Sequence, residues 1–198
     1  QRLQEKPHLW KLYCEESEPG IRALAEAEYW GVPIDEGVCE RQIKYYTDHI
    51  NSLLLKMRKI TKPEFNPSGP DQVVAEMIKR GFKEEIKHDA NKSGYSVDKD
   101  HLIPLDDELA DMVLQYRSET RLVSNVFSAF LNERDESGRF HPGFMQNGTE
   151  TGRLSAARVH QLDRLDNEKT MAGIEQPRHI FVAPEGYDFV NGDYSQIE

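Results

Sequence analysis

Apolar residues recur along the first two thirds of the chain at alternating steps of four and three, which is the spacing of one face of an α-helix. The first stripe predicts a helix of about six turns that ends near Lys62-Pro63, because the residue before a proline avoids the helical conformation. A second stripe predicts another long helix. Two long helices with narrow, matching stripes indicate an antiparallel pair, although a coiled-coil spacer would have the same periodicity. The stripes are Cys39, Ile43, Tyr46, Ile50, Leu53 and Met57, and then Leu109, Val113, Tyr116, Thr120, Val123, Phe127 and Phe130.

Shorter elements surround these two helices. A helix is predicted from Pro19 to Trp30, with proline in its first turn and Gly31 after its end. Asp35 follows a short extended connector and is well placed to cap the first long helix. A further short helix is predicted from Asp71 to Arg80, with Val74, Met77 and Ile78 facing inward. Residues 82–104 are polar and irregular.

The last third of the chain has a different character. From Arg139 to Ser155 it is rich in glycine, threonine and aromatic residues, which is typical of short strands and turns. Tyr187 to Tyr194 is predicted as a strand, introduced by Pro184-Glu185-Gly186. The expected fold is therefore α+β: a mostly helical part with two long antiparallel helices, followed by a few strands.

Charge and cysteine content limit the possible functions. The formal net charge of the whole chain is -10, which by itself argues against binding to phosphates. Basic residues nevertheless cluster locally, and such clusters are either phosphate-binding patches or ordinary solvated helix ends. The sequence contains no run of 18 apolar residues, so no transmembrane helix is predicted. Cys14 and Cys39 are interpreted as reduced thiols of a cytoplasmic protein. The two clusters are Lys56, Arg58, Lys59 and Lys62, and Lys79, Arg80, Lys83 and Lys87.

Asp193 stands at the end of the predicted C-terminal strand. A carboxylate at such a position is a suitable magnesium ligand, since Mg²⁺ prefers hard oxygen donors and takes few of them from protein. The same residue could instead cap a following helix. The pattern alone leaves both interpretations open.

A second candidate is the turn Thr151-Gly152-Arg153-Leu154-Ser155. An arginine beside a glycine in a turn can project into a groove while the backbone comes close. The minor groove of DNA offers acceptors at nearly equivalent positions on every base pair, so such a contact suits an enzyme that copies any sequence. A turn with a solvent-exposed or salt-bridged Arg153 is the simpler explanation of the pattern.

These two motifs and three others resemble family A DNA polymerases. Asp193-Tyr194-Ser195-Gln196-Ile197-Glu198 resembles the first metal-binding motif of the palm domain. Thr149 to Ser155 resembles the turn between thumb and palm. The order and spacing of the similar segments agree over nearly the whole chain. The remaining segments are Ile180 to Gly186, Glu64 to Ser68 followed by Gln72, and Pro19 to Asp35.

The resemblance implies a domain organisation and a set of roles. It implies that residues 1–35 are a connector from an exonuclease-like domain, residues 36–134 a helical thumb, and residues 135–198 the start of a palm. Asp193 and the Tyr194 backbone carbonyl would bind the catalytic pair of Mg²⁺ ions. Glu198 would exclude a ribose 2′-hydroxyl from the nucleotide site. The implied DNA-binding residues are Arg153, Thr151, Gly152, Ser195, Gln196 and, weakly, Gln161.

The resemblance also has gaps. Residues 158–165 depart from the Asn-Leu-Gln-Asn-Ile-Pro-like string that the family usually has, which is why Gln161 is assigned only weakly. The family's nucleotide-binding helix and its second metal carboxylate are not in the chain. We therefore expect a fragment of a DNA polymerase for replication or repair, inactive by itself, whose partners are primer-template DNA, deoxynucleoside triphosphates and the fingers and remaining palm. The start at Gln1, without a signal-peptide pattern, is also expected of a fragment.

Two other classes of function compete with this expectation. One is a non-catalytic DNA-binding or replisome-interaction module with a polymerase-like thumb. The other is an unrelated helical interaction protein. Salt-dependent affinity for DNA would argue against the second, since an acidic helical spacer should not bind phosphates. The expected location is the cytoplasm of a bacterium, or of a bacterial host for a phage protein, with no membrane association.

Overall fold

The computed structural model describes residues 3–87, 94–146, 148–159, 162, 176–190 and 192. These residues form a mostly helical structure with two short antiparallel strand pairs, which confirms the predicted α+β class. The helices are α1 (Pro7–Leu12), α2 (Glu18–Trp30), α3 (Glu36–Ile60), α4 (Pro70–Lys79), α5 (Lys99–Leu102), α6 (Glu108–Arg121) and α7 (Ser128–Glu133). The strands are β1 (Val32–Pro33), β2 (Arg139–Phe140), β3 (Phe144–Met145) and β4 (Ser155–Ala156).

The chain divides into two compact units. Unit 1 contains residues 1–40 and 126–198, and unit 2 contains residues 41–125. The second unit is therefore an insertion within the sequence of the first. Each unit has buried apolar residues of its own.

The first unit begins with a helical run in which a π-helical turn, Tyr13–Ser17, joins α1 to α2. The run ends at Gly31, whose φ of 59° lies in the left-handed region that favours glycine. Asp35 then caps α3 as predicted, since its carboxylate accepts the Val38 N–H at 2.9 Å and its carbonyl accepts the Cys39 N–H at 3.1 Å. Local residue chemistry accounts for both boundaries.

A small core of aromatic and aliphatic side chains holds the distant segments of this unit together. Strand β1 pairs with β2 in the register Val32↔Phe140, and the Asp35 N–H donates to the Ile180 carbonyl at 2.8 Å. The fully buried Phe130 ring lies 4.5 Å from the Phe140 ring and 5.4 Å from the Phe181 ring, both edge-on. Edge-to-face packing is one of the two geometries that aromatic rings prefer.

The second unit packs α3 against α6 over a continuous core. His49 contacts Glu119 at 2.7 Å, while positions later in α3 share a buried cluster with positions earlier in α6. This order of partners is that of an antiparallel pair, as the stripes predict. Val73 of α4 is completely buried although the sequence pattern assigned Val74, which is only partly buried. The cluster includes Leu53, Met57, Phe65, Val73, Met77, Ile86, Val97, Leu102, Leu105, Leu109 and Val113.

One prediction about regular structure is correct only in part, and another is wrong. The second stripe changes phase at the π-helical segment Leu122–Phe127, where Leu122 is buried and Val123 only partly so. A π turn contains more residues than an α turn, so the position of the buried residues shifts there, although Phe127 and Phe130 of the stripe are fully buried. The predicted strand Tyr187–Tyr194 is not a strand in its described residues, 187–190 and 192, and Val190 is 96% exposed. An apolar segment forms a strand only where another strand pairs with its backbone, and no described residue pairs with this one in a sheet.

Candidate nucleic-acid interface

The β3–β4 hairpin presents the turn that the sequence singles out. Its strands pair in the register Phe144↔Ala156 and Met145↔Ser155, and the Ala157 N–H donates to the Gly143 carbonyl at 3.0 Å. Ser155 and Ala156 are buried at the base of the hairpin, whereas residues 151–154 are exposed. The segment from Thr151 to Ser155 therefore has a buried end at Ser155 and an accessible end at residues 151–154.

Hydrogen bonds within the turn define its conformation. The Thr149 hydroxyl donates to the Arg153 carbonyl at 2.8 Å, and the Gly152 N–H donates to the Thr149 carbonyl at 3.3 Å. Gly152 has a φ of 72°, and no atom lies within 4 Å of the place a Cβ would occupy. The backbone conformation, and not lack of space, therefore favours glycine here. Arg153 follows directly and lies on the exposed side of the turn.

The base of the hairpin is tightly packed. A Cβ on Gly148 would lie 2.3 Å from the Ser155 hydroxyl oxygen and 3.2 Å from the Met145 Cβ. A side chain at this position would require the Ser155 hydroxyl to rotate away and Met145 to shift slightly. Ser155 therefore has a packing role, and the exposed turn residues remain the candidates for contact with a ligand.

Two further contacts fix the hairpin to its surroundings within the same unit. The Phe144 N–H donates to the Glu28 carboxylate of α2 at 2.6 Å. The Arg158 guanidinium forms two hydrogen bonds with the Glu133 carboxylate at the end of α7, one of them 2.7 Å from Nε to Oε2. Arg158 itself has a φ of 65°, which is uncommon for a residue with a side chain. A bidentate pair fixes orientation as well as distance.

Comparison with models of protein families shows to which family the chain is related. The model described as "DNA polymerase family A" matches residues 36–198, which is most of the chain.

The chain belongs to DNA polymerase family A.

Individual family A relatives agree with this assignment. DNA polymerase I of Caldicellulosiruptor bescii is 30% identical over 193 residues, which are 94% of this chain and 22% of that protein. The thermostable DNA polymerase I of Thermus thermophilus is 28% identical over 202 residues, with 100% of this chain and 24% of that protein covered. The chain spans about a quarter or less of the length of these relatives.

A solved structure supports the fold. The structure named as the POL domain of Pol1 from M. smegmatis in complex with DNA primer-template and dNTP aligns with a TM-score of 0.74 and 27% identity. The alignment covers 93% of this chain and 33% of that chain. The family resemblance seen in the sequence is thereby confirmed, together with the α+β fold.

Most of the site residues implied by the family lie outside the described part of the structure. The structure brings Thr151, Gly152 and Arg153 together on one exposed turn. Within the described ranges, no three His, Cys, Asp or Glu residues come together as a metal site. No helix among the described residues is long and apolar enough to cross a membrane. The implied residues that are not described are Asp193, Tyr194, Ser195, Gln196, Glu198 and Gln161.

Sequence reasoning missed the residues that anchor the hairpin. Glu28 contacts Phe144, and Glu133 contacts Arg158, across long stretches of sequence. No local spacing signals such pairs.

Proposed function

We propose that the chain is the thumb and the beginning of the palm of a DNA-directed DNA polymerase that acts in replication or repair. The proposed boundaries are residues 1–35 for the connector, 36–134 for the thumb and 135–198 for the incomplete palm. The observation that best supports the proposal is the exposed Thr151-Gly152-Arg153 turn within the 36–198 family match. The bacterial origin of the relatives supports a cytoplasmic location in a bacterium or a phage-infected cell.

The turn is suited to contact the minor groove near the primer end. Gly152 has no side chain, so the backbone can approach a groove closely, and Arg153 supplies donors in a fixed planar arrangement. Minor-groove acceptors are nearly equivalent in all base pairs, so the contact responds to base-pair shape and not to sequence. The anchors Glu133 and Glu28 hold the hairpin that presents these groups.

The thumb would hold the duplex through phosphates, and its two basic clusters differ in how suitable they are. The second cluster is largely neutralised, since Lys79 contacts Glu76 at 2.6 Å, and Arg80 contacts Asp107 at 2.9 Å. The first cluster lies at the exposed C-terminal end of α3. The Arg58 guanidinium of this cluster donates to the Phe65 carbonyl at 3.4 Å, so we assign the phosphate contacts to its lysines, Lys56, Lys59 and Lys62.

The proposed metal ligands fit magnesium in their chemistry. Asp193 offers a carboxylate and Tyr194 a backbone carbonyl, which are the hard oxygen donors that Mg²⁺ prefers. When bound, two Mg²⁺ ions would stabilise the charge on the attacking and leaving oxygens of nucleotidyl transfer. Glu198 would limit the space beside the sugar and so favour deoxynucleotides, while Ser195 and Gln196 would support the site or touch DNA.

Fluorescence anisotropy with a labelled primer-template tests the DNA contacts. Arg153→Ala should weaken binding by about 5- to 150-fold, the effect of losing one base contact worth about 1–3 kcal/mol. Arg22→Ala removes the same charge from α2 and should change affinity little. Each of Lys56→Ala, Lys59→Ala and Lys62→Ala should lower the slope of log affinity against log salt by about one. Equal effects of Arg153→Ala and Arg22→Ala would contradict the assignment of the turn.

A second experiment addresses catalysis. The 198-residue chain has one proposed metal carboxylate, so we expect no primer extension in the presence of Mg²⁺. Extension that disappears on Asp193→Ala would refute this expectation. Coding DNA that continues beyond Glu198 into a helix with Lys and Tyr, and then a strand with a second carboxylate, would support the whole-enzyme proposal. A stop or an unrelated sequence would favour a non-catalytic DNA-binding module.

A further inference from the structure

The imidazole of His141 lies between two hydrogen-bond acceptors. Its Nδ1 atom is 2.7 Å from the Glu28 carbonyl oxygen, and its Nε2 atom is 2.9 Å from Oδ2 of Asp135. A carbonyl and a carboxylate only accept, so each contact requires an N–H on the ring. A neutral imidazole has one N–H, whereas the imidazolium has two. Both hydrogen bonds therefore exist together only when the ring is doubly protonated.

The charged groups around the ring favour this state. Asp135 also accepts the Ser137 N–H at 2.8 Å and the Arg139 N–H at 2.9 Å. The hydrogen bond from His141, followed by these donors, holds the pKa of the Asp135 carboxyl well below its usual range. Asp135 consequently stays ionised and faces the ring as an anion. The Glu28 carboxylate is engaged with the Phe144 N–H. Desolvation of the ring and the Arg139 guanidinium oppose its charged form, and the two hydrogen bonds outweigh them.

The same contacts cap the C-terminal end of α2. Glu28 and Trp30 belong to its last turn, where backbone carbonyls lack partners within the helix. The Arg139 guanidinium donates to the Trp30 carbonyl at 3.0 Å, beside the His141 contact with Glu28. Cations are favourable at this end of a helix dipole. A Cβ on Gly31 would lie 2.7 Å from the Phe140 carbonyl oxygen and 2.9 Å from the His141 Nδ1, so the fit is close.

We propose that His141 is a pH-sensitive latch that binds the segment 135–144 to the end of α2 as an imidazolium and loosens it on deprotonation. The latch lies within the first unit and does not depend on DNA binding. Because Glu28 also holds Phe144 at the start of β3, loosening of this segment reaches the base of the β3–β4 hairpin.

The direction of the pH dependence follows from the same contacts. The hydrogen bond to Asp135, then that to the Glu28 carbonyl, raises the pKa of His141 above its ordinary value of 6.5. A raised pKa in the folded state means that the stabilisation is complete below the pKa of the unfolded chain. The stabilisation is lost as the pH rises through the higher pKa of the folded state.

Nitrogen-15 NMR of the 198-residue chain tests the protonation state directly. At neutral pH the two ring nitrogens of His141 should share the chemical shift of an imidazolium, and their titration midpoint should lie above that of a peptide spanning residues 138–144. Asp135→Asn replaces the acceptor by an amide that can donate, so the ring should become a neutral tautomer with its proton on Nδ1. Ring nitrogens that are split at neutral pH in the unmodified chain, with a midpoint equal to the peptide's, would overturn the proposal.

Urea denaturation supplies the second measurement. The stability gap between the unmodified chain and His141→Gln should be largest at about pH 5.5 and should shrink toward about pH 9. His8→Gln, in helix α1, is the control for loss of an imidazole elsewhere in the chain. A gap that stays constant across this range would mean that the ring acts only through packing, and the latch would be rejected. If His141→Gln does not fold, the NMR titration of the unmodified chain still decides between the two outcomes.

Discussion

Arg117 connects helix α6 to two loops of the second unit, and its replacement is the most informative test of that unit. Its Nε donates to the Pro67 carbonyl at 2.9 Å, and its Nη1 donates to the Val97 carbonyl at 2.5 Å. These carbonyls lie in segments without regular structure, 50 and 20 residues away in sequence. Burial lowers the pKa of the guanidinium, but arginine is basic enough to remain charged. A single side chain thus fixes two loops to one helix.

The two hydrogen bonds of Arg117 determine how much stability its replacement should cost. A hydrogen bond from a charged donor contributes about 1.5–3 kcal/mol, and Arg117 makes two. The side chain is half-buried, so water can partly replace both bonds. We therefore expect Arg117→Met, which keeps the apolar stem, to lower the free energy of unfolding by about 2–4 kcal/mol. Arg117→Lys can satisfy one carbonyl at a time and should cost about half as much.

Urea unfolding followed by circular dichroism gives the free energies, and hydrogen exchange measured by mass spectrometry shows where the chain opens. Exchange should accelerate in peptides covering residues 64–69 and 94–98 more than elsewhere. Arg22→Met is the control, because Arg22 forms an exposed pair with Glu18, a type of contact worth about 0–1 kcal/mol. A loss for Arg117→Met no larger than for Arg22→Met, with unchanged exchange in both loops, would refute the reasoning.

Three other predictions address a buried carboxylate, a buried thiol and the exposed turn. Glu119 is 2% exposed and contacts His49 at 2.7 Å, so Glu119→Ala should cost about 2–4 kcal/mol and Glu119→Gln, which can still hydrogen-bond, clearly less. Burial raises the pKa of the Cys39 thiol to about 11, so at pH 8 only about one thiol in a thousand is ionised. A thiol reagent should therefore modify the exposed Cys14 rapidly and Cys39 only after unfolding. Gly152→Ala should cost about 1–2 kcal/mol through backbone strain, because φ is 72° and space is available.

Each of these predictions has a result that would contradict it. Equal losses for the alanine and glutamine variants of Glu119 would mean that its hydrogen bonds contribute nothing. Equal rates of modification for the two thiols under native conditions would show that Cys39 is accessible. Gly143→Ala is the control, because the φ of Gly143 is not positive. A Gly152→Ala variant as stable as the unmodified chain would show that the positive φ of Gly152 does not require glycine.

Residues that act locally were predictable from the sequence. Asp35 caps α3 and Gly31 ends α2, because both depend on the preferences of one residue and its nearest neighbours. The antiparallel helix pair followed from periodicity, and the Thr151 to Ser155 turn followed from a family motif. The exposed position of Arg153 agrees with that prediction, while its contact with DNA stays a prediction.

Features that depend on distant residues were not predictable. The π-helical segment at Leu122–Phe127 breaks the regular spacing that a helix prediction assumes. The strand predicted from Tyr187 to Tyr194 had the right composition, but strand formation depends on a neighbouring strand, and its described residues are not a strand. The sequence pattern of residues 82–104 was interpreted as polar and irregular. In the structure this segment supplies buried Ile86 and Val97 to the core of the second unit.

The interrupted sequence of the first unit has a consequence for synthesis. Residues 41–125 separate helix α2 from the segment that caps it, because Arg139 and His141 follow the whole of the second unit. At about 5–20 residues per second, a ribosome needs on the order of ten seconds to translate that insertion. At the end of this interval the second unit, which is continuous in sequence, has been synthesised in full, whereas the nascent α2 still lacks both of its cationic caps. The inserted unit should therefore fold first on the ribosome, and the surrounding unit should close only after residue 141 has left the exit tunnel.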